Sequence, residues 1–321
     1  MAQVKSRGIA VRPAQSWFRI KPVYSPIFRA LILASMISLA GSLSAQTQDR
    51  PKTDPFKAST GRLAKEEAIH GIPLDKLSAG DKAKIAKLLA EPHIFRRLPV
   101  HLGPCDPDLY LFLVRHPDVV VGIWEELDLS KFRMKQVGDN KFQTNDSDGS
   151  TGTAHFMYQD SETHLLWVEG RCDNRLFAKP VKGTSLLILR TGYIRESDGR
   201  YYITSRLDTF THIEDVGIEF VTRTLQPLMG KVVDNNFLQT AAFVGSFSRT
   251  AEKNPQGVRR LAGKLEKVDP EVRNELSRLA FEVADRSTRR NAALAAVKPK
   301  QPRTVARTAI RPISTTSRIT R

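Results

Sequence analysis

Two polar residues interrupt an apolar helix face in the C-terminal third of the chain, and their types could anchor a ligand. The segment Ile213–Thr250 has the pattern of one long amphipathic helix, kinked or restarted at Pro227. When successive residues are placed 100° apart, Asn236 and Thr240 fall inside the apolar arc. A buried Asn left without a hydrogen-bond partner costs about 1–3 kcal/mol. Two interpretations are open: Asn236 bonds to the sheet backbone, or both residues face a cavity.

The cavity interpretation gives a set of candidate ligand-binding residues. A small-molecule site is usually an apolar cavity with a few polar anchors, which a curved sheet under a helix can form. The alternative is that the polar residues of the strands form ion pairs on an exposed sheet face. The candidates from the helix and the predicted strands are Asn236, Thr240, Met229, Val233, Phe237, Trp167, Tyr193 and Arg206.

No catalytic signature is found in the sequence. The nucleophile elbow Gly-x-Ser-x-Gly, the zinc motif His-Glu-x-x-His, Cys-x-x-Cys pairs and the Gly-x-x-x-x-Gly-Lys phosphate loop are all absent. His212 lies near Glu214 and Asp215 at a strand–helix junction, where acids stabilise a helix N-terminus. We therefore predict no catalytic residue, no metal and no cofactor, and a binding protein rather than an enzyme.

The elements that must position the candidates precede the long helix. Six alternating runs are separated by short turns, of which Gly138-Asp139-Asn140 and Ser197-Asp198-Gly199 are hairpin signals. The predicted fold class is α+β: a bent antiparallel six- to seven-stranded sheet gripping a long C-terminal helix, with extra helices at both ends. The predicted strands are Lys131–Val137, Lys141–Asn145, Gly152–Gln159, His164–Cys172, Thr184–Glu196 and Arg200–Ile213.

Helical patterns flank this core on both sides. Ser78–Glu91 has an N-capping serine and an apolar face, and Val119–Leu127 is a short helix with Trp124 packed inward. The run after Pro107 is either a first strand or a helix start. The predicted organisation is a signal peptide (1–45), a linker with short helices (46–97), the α+β domain (98–252), a helical extension (256–297) and a basic disordered tail (298–321).

The net charge of +16 lies entirely in the two termini. Residues 1–29 carry six basic residues and residues 286–321 carry ten, without any acid in either segment. The span between them is neutral, so we expect no specific nucleic-acid binding by the folded part. The tail is either a plain solvated segment or makes weak contact with an anionic envelope polymer or membrane.

The N-terminus has the pattern of an export signal. Basic residues up to Arg29 precede the uncharged apolar stretch 30–45, which ends in small residues. A cleaved signal is the first interpretation; an uncleaved N-terminal anchor and a buried helix are the alternatives. We therefore expect an exported protein of the periplasm, cell envelope or exterior. Cys105 and Cys172 would then form one disulfide or remain two buried thiols.

The order of these elements resembles a known superfamily. The residues concerned are the run LYLFLVRHPDVVVGIWEEL (109–127), the two hairpin turns above, and the helix containing Leu225-Gln226-Pro227-Leu228. They are similar to the helix-grip fold of the START, polyketide-cyclase and plant-allergen (SRPBCC) superfamily, over 109–250. The resemblance implies a cavity between sheet and helix that holds a lipid or other apolar molecule.

Three functional hypotheses follow. The first is an exported, non-catalytic protein that binds an apolar small molecule or lipid between the sheet and the long helix. The second is a cyclase- or hydrolase-like enzyme on the same fold. The third is an envelope structural or interaction protein whose core is filled.

Overall fold

Alternating apolar side chains in the middle of the chain build one antiparallel sheet that has apolar residues on both faces. A computed structural model describes residues 54–146, 149–173, 180–214 and 226–297. The eight strands run in the order β1-β8-β7-β6-β5-β4-β3, and β2 pairs with the other end of β8. Together with the long helix in the C-terminal part and further helices at both ends, this confirms the predicted α+β fold class.

The helices and strands have the following bounds. The helices are α1 (Arg62–His70), α2 (Ala79–Ala90), α3 (Pro107–Arg115), α4 (Pro117–Glu126), α5 (Gln226–Lys253), α6 (Pro255–Lys264) and α7 (Pro270–Val297). The strands are β1 (Ile94–Arg97), β2 (His101–Pro104), β3 (Arg133–Gly138), β4 (Lys141–Asn145), β5 (Ser150–Gln159), β6 (Thr163–Cys172), β7 (Val181–Arg195) and β8 (Tyr201–Ile213).

Side-chain caps fix where several helices begin. Ser78 Oγ accepts a hydrogen bond from the Asp81 amide at 3.1 Å, as predicted for the start of α2. Asp106 Oδ1 accepts from the amides of Asp108 and Leu109, and Pro107 occupies the first turn of α3. The apolar run after Pro107 is therefore helical, which decides between the two predicted alternatives.

The six predicted strands are all present, and two short ones were missed. β1 pairs with the end of β8 and β2 pairs with its beginning, in a region of the sequence that holds Pro99, Gly103 and Pro104. Prolines are tolerated there because both strands lie at the edge of the sheet. The sheet therefore begins before residue 98, the predicted domain boundary. The predicted helix start, 215–225, lies outside the described residues.

The back face of the sheet is covered by the N-terminal helices. Its apolar residues pack against Ala64 and Ala68 of α1, one helical turn apart, and against Ile85 and Leu88 of α2. The described part of 46–97 is thus a layer of the fold and more than a linker. The back-face core residues are Phe95, Leu165, Trp167, Leu186, Ile188 and Phe210.

Among the described residues, helices cover the front face at one end. There α3, α4, α5, α6 and α7 form the largest core with Ile203 of β8. Arg286 of α7 donates two hydrogen bonds to the Asp106 carboxylate, at 2.8 and 2.9 Å, which ties the C-terminal helix to the cap of α3. The predicted helical extension is therefore integral to the core. Cys105 is buried here, and Cys172 lies in β6; both thiols are free.

None of the described helices is both long enough and apolar enough to cross a bilayer. The apolar stretch 30–45 and the basic tail 298–321, with the predictions that concern them, lie outside the described residues.

A buried polar network joins α1 to the back face. Asp208 is fully buried, and its carboxylate accepts hydrogen bonds from Arg97 Nε at 2.7 Å and Arg97 Nη2 at 3.0 Å. Glu67 of α1 accepts from Arg97 and Arg206, and the hydrogen bond from Arg97 lowers the pKa of Glu67. Arg190 bonds to the carbonyl of Gly71, at the end of α1. These bonds satisfy charged groups that would be costly to bury unpaired.

The substitution Asp208→Asn should destabilise the fold. It leaves the Arg97 guanidinium buried beside a neutral amide, which costs about 3 kcal/mol when one partner of a buried pair is lost. Urea denaturation followed by circular dichroism measures this loss. Asp173→Asn is the control, because Asp173 pairs with Arg171 on the surface, where such pairs contribute about 0–1 kcal/mol. Equal losses in both variants would contradict the importance of the buried pair.

Candidate ligand-binding face

The structure does not bring the predicted site residues together. Trp167 and Arg206 lie on the back face: Trp167 packs in the core beneath α1 and α2, and Arg206 bonds to Glu67 of α1 at 3.0 Å. Tyr193 packs against the front-face core, and its hydroxyl donates to the carbonyl of Ser161. A single cavity therefore cannot include all three of these strand residues.

The helix face that carries Asn236 is exposed to solvent, which differs from the prediction. Thr240 is half-buried, and its hydroxyl donates to the backbone carbonyl of Asn236 at 2.8 Å within the helix. Val232, on the same predicted apolar arc, is 45% exposed. The predicted apolar arc assumes that the whole helix packs on one surface, whereas α5 packs on two. Its second half packs against α3, α6 and α7, and its first half follows the edge of the sheet.

An ion pair on the front side of the sheet holds the first half of α5. Arg96 of β1 donates to Asp234 of α5 through Nε at 2.8 Å and also through Nη2. Because Arg96 donates these hydrogen bonds to the Asp234 carboxylate, the pKa of its guanidinium is raised. Gly230 lies against the guanidinium, where a Cβ would stand 3.0 Å from Arg96 Cζ.

Two of the predicted helix candidates lie on the side of α5 that faces the sheet edge. Val233 and Phe237 are three and seven residues from Gly230, and both are half-buried. Met229 lies in the first turn of α5, and its side chain is outside the described residues.

Four half-buried leucines from three adjacent strands form an apolar surface on the front face, beyond the helical core. Leu166 of β6 pairs with Leu187 of β7, and Leu189 of β7 pairs with Leu207 of β8. Their side chains share one face because residues two apart along a strand point the same way. We call Leu166, Leu187, Leu189 and Leu207 the leucine row. In the described part of the chain, α5 makes its main sheet contacts with β2 and not across this row.

Hydroxyl groups border the leucine row at both ends. Toward the helical core, the Tyr110 hydroxyl bonds to Thr191 at 3.1 Å and Ser205 at 2.9 Å. At the opposite end, Ser185 and Thr211 share a hydrogen bond of 2.8 Å across β7 and β8. A strip of leucines between two polar ends has the composition of a site for an elongated amphiphile.

An aromatic cluster lies beside the row on the β4 and β5 side. Phe142 and Phe156 are buried with Ala154, and Leu166 and Val168 pack against them. The leucine row thus lies between this cluster and the α5 edge of the sheet.

His164 is a buried imidazole beside the row. It pairs with Leu189 in the sheet register and contacts the ring of Phe156, with 1% of its surface exposed. Neither ring nitrogen bonds to a described residue. Burial lowers the pKa of His164 to about 4, so the ring is neutral near pH 7.

Two surface pockets lie away from the leucine row. One, of about 310 Å³, lies between α4 and β3 and is lined by charged and polar side chains such as Glu125, Lys131 and Arg133. The other, of about 570 Å³, lies between the β3–β4 hairpin and the α6–α7 connection. Their charged linings do not suit an apolar ligand. Among the described residues, no group of three or more His, Cys, Asp and Glu is arranged to hold a metal.

The leucine row was not predicted from the sequence, although a signal for it exists. The run LLIL, 186–189, is apolar at every position, which is typical of a strand covered on both faces. The alternation of Leu186 and Ile188 with Leu187 and Leu189 therefore indicated two apolar surfaces.

No protein-family model matches the chain, and no curated protein matches it. Among solved structures, a conserved protein from Geobacillus kaustophilus is similar with a TM-score of 0.33 and 10% sequence identity. The similarity covers 47% of this chain and 93% of that chain. A similarity this weak carries no argument about function.

Acid should destabilise the protein partly through His164. The unfolded chain binds a proton near the ordinary histidine pKa of about 6.5, whereas the folded state resists protonation down to a pKa of about 4. Stability contributed by the neutral ring is therefore present above pH 6.5 and lost as the pH falls toward 4. As the pH falls from 7 to 4.5, the free energy of unfolding should decrease in both proteins. We expect the decrease in His164→Leu to be smaller than in the parent protein by on the order of 2 kcal/mol.

Urea denaturation at each pH measures this difference. His70→Gln, at an exposed position on α1, is the control and should keep the pH dependence of the parent. An unchanged slope in His164→Leu would show that the ring titrates equally in the folded and unfolded states.

Proposed function

We propose that the protein binds a lipid or another apolar small molecule on the front face of its sheet, along the leucine row, without catalysing a reaction. The observation that supports this most directly is the register of β6, β7 and β8, which aligns four half-buried leucines outside the helical core. The resemblance to the helix-grip superfamily supports the same proposal. The N-terminal sequence pattern supports its export to the cell envelope.

The chemistry of the row favours an aliphatic ligand. The row contains no charged side chain, and the hydroxyls of Ser185 and Thr211 at one end can bond to a polar headgroup. The adjacent Arg96 already pairs with Asp234, so a free carboxylate would have to compete with that ion pair. An aliphatic chain with a hydrogen-bonding headgroup therefore fits this surface better than a compact ion.

Burial of the leucine row alone does not offset the free-energy cost of association, so binding requires further contacts from α5. Each half-buried leucine that becomes fully covered contributes about 0.5–1 kcal/mol, so four contribute roughly 2–4 kcal/mol. Association itself costs about 4 kcal/mol or more. We therefore propose that Val233 and Phe237 of α5 form the second side of the binding surface. None of the described contacts favours the enzymatic alternative.

Polar substitutions in the row should weaken ligand binding. We expect the double variant Leu187→Ser/Leu189→Ser to bind a dansyl-labelled fatty alcohol about tenfold or more weakly than the parent, because it removes apolar contact at the centre of the row. Fluorescence titration measures affinity, and native mass spectrometry of the purified protein shows any lipid already bound.

Ile194→Ser provides the matched control. Ile194 is 44% exposed and lies on the opposite face of β7, so its loss should leave binding unchanged. Circular dichroism confirms that each variant is folded. Absence of saturable binding to the parent, or equal binding by the folded row variant, would refute the proposed function.

A further inference from the structure

The two most exposed large hydrophobic side chains among the described residues lie close together in sequence. Leu63 is 69% exposed and Phe56 is 61% exposed. Leu102 is 46% exposed, as is Leu74. Isolated apolar side chains on a surface are ordinary, but a group of them at one place indicates an interaction site.

Backbone contacts hold the segment that carries Phe56 against the edge of the sheet formed by β1 and the β1–β2 connection. Ser59 exchanges two backbone hydrogen bonds with Arg97, at 2.9 and 2.8 Å. The Val100 amide donates to the Pro55 carbonyl at 2.9 Å, which fixes Phe56 beside the β1–β2 connection. The backbone of the segment that carries Phe56 is therefore fixed to the sheet by hydrogen bonds, although the Phe56 side chain is exposed.

Leu63 and Leu102 both belong to the back side of the sheet. α1 is bound there through its Ala64 carbonyl, which accepts from Arg97 at 3.2 Å. Leu102 points to that side because its neighbour Gly103 pairs with Ile203 of the front core. We call Phe56, Leu63 and Leu102 the N-terminal apolar patch.

The charged residues next to this patch in the sequence form ion pairs with each other. Lys57 lies 3.7 Å from Asp54, and Arg62 lies 2.8 Å from Glu66. The side chains of Lys57 and Arg62 are 82% and 80% exposed, so their long stems can extend toward lipid headgroups while the apolar residues insert. Contact would therefore depend on apolar insertion more than on charge.

The sequence upstream indicates what covers the patch. Only residues 46–53 separate Asp54 from the uncharged apolar stretch 30–45, which follows six basic residues. Eight extended residues span at most about 29 Å. This inference takes the alternative in which stretch 30–45 is an uncleaved N-terminal anchor. In a chain that keeps that stretch at the membrane, the patch stays within about 29 Å of the bilayer.

We propose that the N-terminal apolar patch inserts Phe56 and Leu63 into the interfacial region of a phospholipid bilayer, with Leu102 at its margin. This interaction is separate from ligand binding on the leucine row, which lies on the other face of the sheet. It orients the folded part on the membrane instead of leaving it to move freely at the end of a tether.

Nitroxide labels test this orientation in the full chain. Phe56→Cys, in a Cys172→Ser background, is labelled and mixed with vesicles of phosphatidylethanolamine and phosphatidylglycerol; Cys105 is buried and should not be labelled. We expect the ratio of oxygen to nickel-chelate collision rates at residue 56 to rise about threefold or more as the label enters lipid. A label introduced by Val137→Cys, at a 54% exposed position on β3, should show no change.

These readouts remain informative even when stretch 30–45 alone attaches the chain to vesicles. A label at residue 56 that stays as accessible to the nickel chelate as in solution would overturn the proposal. Shielding from both oxygen and the chelate would also overturn it, since that indicates a protein partner or a second copy.

A matched pair of variants separates insertion from folding. With a label at Leu102→Cys, the double variant Phe56→Ser/Leu63→Ser should lose the vesicle-dependent change. Val137→Ser/Val232→Ser removes two comparably exposed side chains elsewhere and should retain it. Loss in both variants, or in neither, would contradict a role for Phe56 and Leu63.

Discussion

The register of the long β7–β8 hairpin is the constraint on which the rest of the fold depends. The ladder runs from Gly183 paired with Ile213 to Arg195 paired with Tyr201, without interruption. Because side chains alternate along a strand, this register sends Leu186, Ile188 and Phe210 to the back core and Leu187, Leu189 and Leu207 to the front. A slip by one residue would exchange the two faces and move Asp208 away from Arg97.

Within the described part of the chain, the two faces of the sheet are covered differently. The back face is covered by α1 and α2 and holds its charged groups in a bonded network. The front face receives its helices at the end near Tyr110, where a hydroxyl cluster links α3 to β7 and β8. The leucine row continues from that cluster along the same strands. The proposed binding surface is thus an extension of the hydrophobic core along these strands, and its four leucines are half-buried.

Local sequence signals predicted most of the fold, because they depend on near neighbours. The turn at Gly199 has a φ of 80°, which glycine adopts without strain, and the helix cap at Ser78 is a local hydrogen bond. The short strands β1 and β2 were not predictable in this way, since each exists through pairing with a distant part of β8.

The candidate site was predicted less well for a related reason. A helical wheel shows which residues share a side of α5, but not which partner each half of the helix meets. Asn236 falls inside the predicted apolar arc because its neighbours on the wheel include Phe243 and Phe247, which are buried where α3, α6 and α7 pack around the second half. In the first half those helices are absent from the described contacts, and the side facing the protein is set by Asp234.

Two adjacent arginines in β1 connect the N-terminal helix and the long helix to the same edge of the sheet. Arg96 points to the front and pairs with Asp234 of α5, whereas Arg97 points to the back and bonds to Glu67 of α1 and Asp208 of β8. Since α5 supplies Val233 and Phe237 to the proposed binding surface, and the segment before α1 carries Phe56 of the N-terminal apolar patch, both proposed surfaces depend on the position of one four-residue strand. The backbone bonds of Arg97 to Ser59 strengthen that dependence, because they join the patch directly to β1.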